Sequence, residues 1–192
     1  MPDQTVPCTY FERAGVQNSE KTLELAKERA KALEIEHIVV ASTSGETGAL
    51  AAEMLNSYHV VVVTHSTGFQ NPNHQQLEAG YRERIKAANA DILTCQHALG
   101  GIGRAARRKL GTYQLEEIMA FTLRNFCEGI KVVCEITVMA ADAGLIPAGE
   151  EIIAVGGTGQ GADTAAVMLS ANAQDFFDLR VLEILCKPRC WQ

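Results

Sequence analysis

The chain lacks most of the features that would assign it quickly. No apolar run approaches the roughly 20 residues that a membrane-spanning helix needs. Its first residues, Met1-Pro2-Asp3-Gln4, do not have the basic-then-apolar layout of a signal peptide, so a cytoplasmic protein is expected. There is no excess of positive charge. The formal net charge of -6 argues against broad nucleic-acid binding and against an anionic membrane surface. The six cysteines form no C-x-x-C pair and no histidine stands at zinc-ligand spacing from them, so they are expected to be reduced and structural. Cys186 and Cys190 are the one pair whose position admits a redox role. Internal repeats, linkers and low-complexity segments are absent, as are a Ser-His-Asp order, a carboxylate pair split into acid and base, and a metal motif.

What is present is a chain of 192 residues, 47% hydrophobic and 21% charged, enough for one domain with a real core over residues 1–192. Residues 1–18 read as an irregular lead-in. Leu23, Ala26, Ala30 and Leu33 recur on one face of a helix predicted over Ser19 to Leu33. Strands are predicted at about 37–41, His59 to Thr64, Ile92 to Cys95 and Ile152 to Val155, with further β structure at Ala165 to Leu169 and Val181 to Leu185. The β-branched run at 59–64 is continuous, as in a parallel strand buried on both faces. Helices are predicted to open at Ala49, to carry the stripe Leu77, Tyr81, Ile85 and Ala88 behind an Asn73/Gln76 capping box, and to carry Leu115, Ile118, Thr122 and Phe126 on one face after a basic turn at Arg104 to Lys109. Val132 to Ala143 is very apolar and stops at Gly144. Alternation of helix and strand means α/β with a mostly parallel sheet.

In such sheets ligands bind beyond the carboxyl ends of the strands. Four loops lie there: 42–48, 65–73, 96–103 and 156–164. The first, Ser42-Thr43-Ser44-Gly45-Glu46-Thr47-Gly48, follows a strand and opens a helix, so free amides and the helix dipole make it a trap for phosphate or another small anion. Hydroxyls of Ser42, Thr43, Ser44 and Thr47 add donors, and Gly45 is expected to let a ligand approach the backbone. It lacks the lysine of a P-loop, which removes an NTP-hydrolysing reading, and Glu46 is expected to point outward. Gly157-Thr158-Gly159-Gln160-Gly161-Ala162 fits G-x-G-x-x-A, but too little chain follows for a dinucleotide fold. Its backbone still suits a ligand, with Asp163 and Thr164 as polar contacts. His65 and His97 each follow a strand and suit a general acid/base or a ligand donor. The cluster Arg104, Arg107, Arg108 and Lys109 suits an anion, a solvated face or a subunit contact. Glu135 and Asp142 are expected to form an exposed stripe or to pair with those arginines.

Two of these loops carry a resemblance. Ser42 to Thr47 resembles the effector-phosphate loop of the pyruvate kinase C-terminal domain, Thr-x-Ser-Gly-x-Ser/Thr, and Gly159 to Thr164 resembles its later Gly-Ser-Gly-x-x-Asn-Thr loop, with Asp163 where the kinase has Asn. Together with Tyr10-Phe11-Glu12, Ala141 to Pro147, Gln174 to Leu179 and Lys187-Pro188-Arg189, nearly the whole chain resembles the stand-alone pyruvate kinase alpha/beta domain proteins of prokaryotes. The resemblance implies a three-layer α/β/α sandwich whose mixed, mostly parallel sheet has an antiparallel last strand. It implies no pyruvate kinase activity, since the catalytic barrel is missing, and bound FMN. Matched residue by residue, Ser42, Ser44, Gly45 and Thr47 fall on the phosphate loop and Gly159, Gly161 and Thr164 on the second. Residues 96–144, where helices are inserted, have no functional counterpart in the kinase to carry over. The expected function is therefore binding of a phosphorylated ligand, FMN foremost, by Ser42, Thr43, Ser44, Gly45, Thr47, Gly48, His97, Gly157, Thr158, Gly159, Gly161, Asp163 and Thr164, in a homo-oligomer. An enzyme using His97 or His65 on a phosphorylated or carboxylated metabolite stays open, as does an accessory subunit docking through Arg104 to Lys109.

Overall fold

The computed structural model describes residues 3–189. Seven strands form one sheet in the order β1-β7-β6-β5-β2-β3-β4: β1 Thr9–Phe11, β2 His37–Ala41, β3 His59–Thr64, β4 Asp91–Thr94, β5 Glu151–Gly156, β6 Thr164–Leu169 and β7 Arg180–Pro188. The lead-in is thus not wholly irregular. Thr9 to Phe11 pairs in parallel with Cys186 to Pro188, too short a stretch to show a period. The strand that opposes the others is the penultimate one. β6 is antiparallel to both β5 and β7, which returns the last strand to the common direction.

Among the described residues six α-helices flank the sheet: α1 Ser19–Leu33, α2 Glu46–Met54, α3 Ala79–Ala87, α4 Ile102–Leu110, α5 Leu115–Arg124 and α6 Glu128–Asp142. The alternation of β2 divides the core into two layers. Ile38 and Val40 face Leu23 and Ala26 of α1, Leu55 at the end of α2 and Ile85 of α3, whereas Val39 faces Ile130, Val133 and Met139 of α6. Burial on both faces explains the unbroken Val60 to Val63 run. The apolar stretch at 132–143 is therefore core. α5 covers α6, and α4 meets α5.

Three expectations change in detail. α3 starts beyond Glu78, and Asn73 stands in a left-handed turn (φ 61) outside any capping box. The basic turn extends into a nine-residue helix, α4. The α5 stripe Leu115 and Ile118, with Phe121 and Phe126, faces solvent, while Glu117 and Ala120 turn inward. Cys186 is buried and its thiol is pushed up to about 12, mainly by burial; Cys190 lies outside the described residues. At the amino-terminal edge of the sheet His59 bridges His37 (Nδ1 to Nδ1, 2.9 Å) and Asp91 (Nε2 to Oδ2, 2.8 Å). Among the described residues no helix is long and apolar enough to cross a membrane, and no three His, Cys, Asp or Glu are grouped to hold a metal ion.

Candidate functional site

β2, β3, β4 and β5 run parallel, so the loops after them meet at one edge of the sheet. Three of them lead towards helices; residues 157–163 instead form the turn of the β5–β6 hairpin. Between residues 42–47 and 157–161 lies a cavity of about 650 Å³, with His65, Gln70 and Gln76 on a further wall. Among the described residues no lysine or arginine lines it; Glu46, Glu78 and Glu128 do.

Loop 42–48 is held from within. The buried Ser42 hydroxyl accepts from the Gly48 amide at 3.0 Å, and Glu78 N donates to Ser44 O at 2.9 Å. Gly45 has φ 103, and a Cβ there would meet Leu77 and lie 2.6 Å from Tyr81 Cβ. Gly48 is equally confined, with Val62 Cγ1 at 2.5 Å. Both glycines thus serve close packing against α3 and β3. The amides of Ser44, Gly45 and Thr47 have no hydrogen-bond partner among the described residues, and they stand where the α2 dipole is positive. Glu46 is exposed, as expected, but at the mouth of the cavity.

The second loop divides. Gly157, Gly159, Gln160 and Gly161 line the cavity. Asp163 does not. It is fully buried, its Oδ2 accepts from Gly15 N (3.0 Å) and Thr158 N (3.1 Å), and its Oδ1 accepts from the Thr164 hydroxyl (2.9 Å). Thr164 is also fully buried, tight against Gly129. These two side chains are committed to the fold, which corrects their assignment as ligand contacts. The carboxylate ties the loop to the start of the chain instead. The Thr158 hydroxyl is buried without a partner.

His65 and His97 come together, with ring centroids 5.2 Å apart, and Phe69 stacks on both at 4.0 and 5.0 Å. His65 Nδ1 lies 2.9 Å from Gln76 Oε1, a hydrogen bond in the tautomer with the proton on Nδ1, and Nε2 lies 3.5 Å from the Thr43 hydroxyl. Burial, with His97 and Arg104 adding to it against the Gln76 bond, lowers the pKa of His65 and favours the neutral ring. Beneath His97 lies Glu135, whose Oε1 accepts from Leu99 N at 2.9 Å and whose Oε2 is bonded to Lys131 and lies 3.5 Å from His97 Nδ1. Burial pushes this carboxyl up, but His97 and the Lys131 ammonium outweigh it and hold it down at about 2. Glu135 is thus neither exposed nor paired with the arginines of α4, whereas Asp142 is exposed, as expected, and accepts from Asn172 Nδ2 and Ala173 N. His97 Nε2 is buried without a partner. Phe69, Gln76, Lys131 and Glu128 escaped sequence reasoning. The one available signal was a lysine and a glutamate four apart in an apolar helix.

A second hollow, about 710 Å³, lies between residues 66–69 and α4. Arg104, Arg108 and Lys109 line it, and among the described residues no carboxylate does. A smaller chamber behind Phe69, about 180 Å³, touches both hollows through His65, His97 and Arg104. Of the remaining cations, Arg107 pairs with Glu117 (2.7 Å) and Arg124 with Glu128 (2.5 Å).

Against known proteins, the family model described as pyruvate kinase, alpha/beta domain, matches residues 20–168. Among solved structures the chain is similar to a pyruvate kinase from Cryptosporidium parvum, at 15% identity over 71% of this chain and 20% of the kinase, with a TM-score of 0.35. The pyruvate kinase of the same organism in complex with ADP is 15% identical over 78% of this chain and 23% of the kinase, with a TM-score of 0.40. The chain thus spans about a fifth of the length of these kinases.

Proposed function

The chain belongs to the pyruvate kinase alpha/beta domain family, and on that premise we propose that it binds a phosphorylated small ligand, FMN foremost, through Ser42 to Gly48, without pyruvate kinase activity. The observation that carries this reading is the set of unpartnered amides of Ser44, Gly45 and Thr47 beside a cavity of about 650 Å³ that has no basic lining. A phosphate monoester is well served by neutral N–H and hydroxyl donors at a helix start. A polyphosphate would bring more charge to a wall carrying Glu46, Glu78 and Glu128. The remaining space is within the range of small-molecule sites, and Gln70, Gln76 and Gln160 offer both donors and acceptors to a flat heterocycle. FMN, when bound, supplies electron-transfer chemistry; the residues here hold and orient it. Purified protein is expected to be yellow or to take up FMN, and Ser44→Glu to abolish uptake. A colourless protein with no measurable FMN affinity overturns the reading.

A second reading, proton transfer by His97, is favoured by its unpartnered Nε2 and by Glu135 on the opposite nitrogen. A His97→Ala variant is then expected to keep the ligand and lose turnover. Self-association of a cytoplasmic protein through α5 is part of the same proposal. Tyr113, Leu115, Ile118, Phe121 and Phe126 are each more than half exposed. Together they present on the order of 500 Å² of apolar surface, and a homodimer interface about 65% apolar then reaches the ~800 Å² per partner of a stable pair. A second copy is the occupant that this area fits. Light scattering is expected to give a dimer that Ile118→Lys returns to monomer; a monomeric parent protein overturns it.

A further inference from the structure

We propose that the hollow between residues 66–69 and α4 is a second binding site, for a multiply charged anion of the di- or polyphosphate type, separate from the ligand of residues 42–48. The protein carries a formal net charge of -6, yet this wall has three cations and no acid. Arg104 is the anchor. Its guanidinium lies 4.8 Å from the Phe69 ring centroid and so close to Gly100 that a Cβ there would stand 2.7 Å from Nη2. No carboxylate pairs with Arg104, Arg108 or Lys109 among the described residues, although Arg107 and Arg124 beside them are each paired. Charges left unpaired around one hollow concentrate an oxyanion, and a guanidinium fork grips two of its oxygens.

Two features independent of the cations point the same way. His97 lines the hollow, its side chain is only 11% exposed, and its Nε2 is wholly shielded without a protein partner. A buried nitrogen of that kind is ordinarily met by a protein group, an ordered water or a ligand, and no protein group among the described residues meets this one. α4 also begins at the hollow, with Gly101 at its cap, so its first amides and the positive end of its dipole add to the arginines. A singly charged anion engages one cation, whereas linked phosphates engage Arg104 together with Arg108 or Lys109. The carboxylates of the first cavity would oppose such a ligand there, and for that reason the two sites are assigned to different molecules.

The test is calorimetric titration of the full chain with inorganic pyrophosphate at low ionic strength, with and without FMN. One pyrophosphate is expected per chain, with inorganic phosphate binding about tenfold or more weakly. Arg108 and Lys109 are exposed, so Arg108→Glu with Lys109→Glu is expected to keep the fold and to weaken pyrophosphate about tenfold or more. The charge-matched pair Lys31→Glu with Lys86→Glu is expected to change it no more than about twofold. The imidazole nitrogen resonances of His97 are expected to shift on titration. No binding, equal loss in the two double variants, an unmoved His97, or binding of a tricarboxylate as tight as pyrophosphate overturns the proposal. Ser44→Glu is expected to leave pyrophosphate binding intact, and its loss there overturns the separateness of the sites. If FMN fails to bind while pyrophosphate does, the reading of residues 42–48 falls and this one stands.

Discussion

The two hollows at the carboxyl edge of the sheet handle charge in opposite ways. The one beside residues 42–47 offers backbone amides, hydroxyls and glutamines, and its only full charges are negative. The one beside α4 offers three full positive charges and none of the other sign. Amides fixed by a loop and a helix start cannot titrate, swing away or be neutralised, so a site built from them recognises shape and a single phosphate. Arginine and lysine side chains reach further and respond to total charge, and salt screens them more. Phe69, His97 and Arg104 form the partition, with Glu135 bracing it from below.

That contrast breaks first at Ser44. A carboxylate placed against the free amides is expected to abolish FMN uptake, read by fluorescence titration, and to leave the cationic hollow working. The next largest effect is expected at the partition. Glu135→Gln leaves Lys131 buried without a counter-charge and is expected to cost about 3–5 kcal/mol in urea unfolding. Because the Glu135 carboxyl is held at about 2, below its ordinary 4.5, its contribution is present above pH 4.5 and lost as the pH falls towards 2. The variant is expected to lack that part of the acid limb. Raising sodium chloride from about 0.05 to about 0.3 M is expected to weaken pyrophosphate several-fold while FMN changes by no more than about twofold. Equal salt dependence would erase the distinction. The smallest effect is expected far from both hollows. Burial, aided by His59, lowers the pKa of His37, so its share of stability is present above the ordinary histidine value of 6.5 and lost as the pH falls below it. A lower melting point near pH 5.5 than near pH 7.5, with a smaller drop in a His37→Asn variant, is the expected outcome.

Much of this architecture was legible because the signals were local. Val60 to Val63 announced a doubly covered strand, and Ser19 to Leu33 a helix with the observed bounds. The loop at 42–48 was legible for the same reason, since strand, hydroxyl cluster and helix are adjacent in sequence. The roles of Asp163 and Thr164 were not. What commits Asp163 is the Gly15 amide, 148 residues earlier in the chain, together with a neighbouring hydroxyl, and no periodicity reports that. Glu135 misled for a related reason. A glutamate in an apolar helix reads as exposed unless Lys131, His97 and the Leu99 amide are known to converge on it. The apolar stripe of α5 marks a helix face in the sequence, but which way it turns depends on the packing of α5 against α6.

The bond from Gly15 to Asp163 has a consequence for how the molecule is made. Residues 9–11 complete the sheet only by pairing with 186–188, and the loop at 157–163 is pinned by residue 15 and by Ser19. During synthesis the early segments wait on the ribosome for partners that emerge more than 140 residues later. β2, β3 and the phosphate loop between them are able to form in the meantime, while the opposite wall of the ligand cavity emerges only after α6 and β5 have been made.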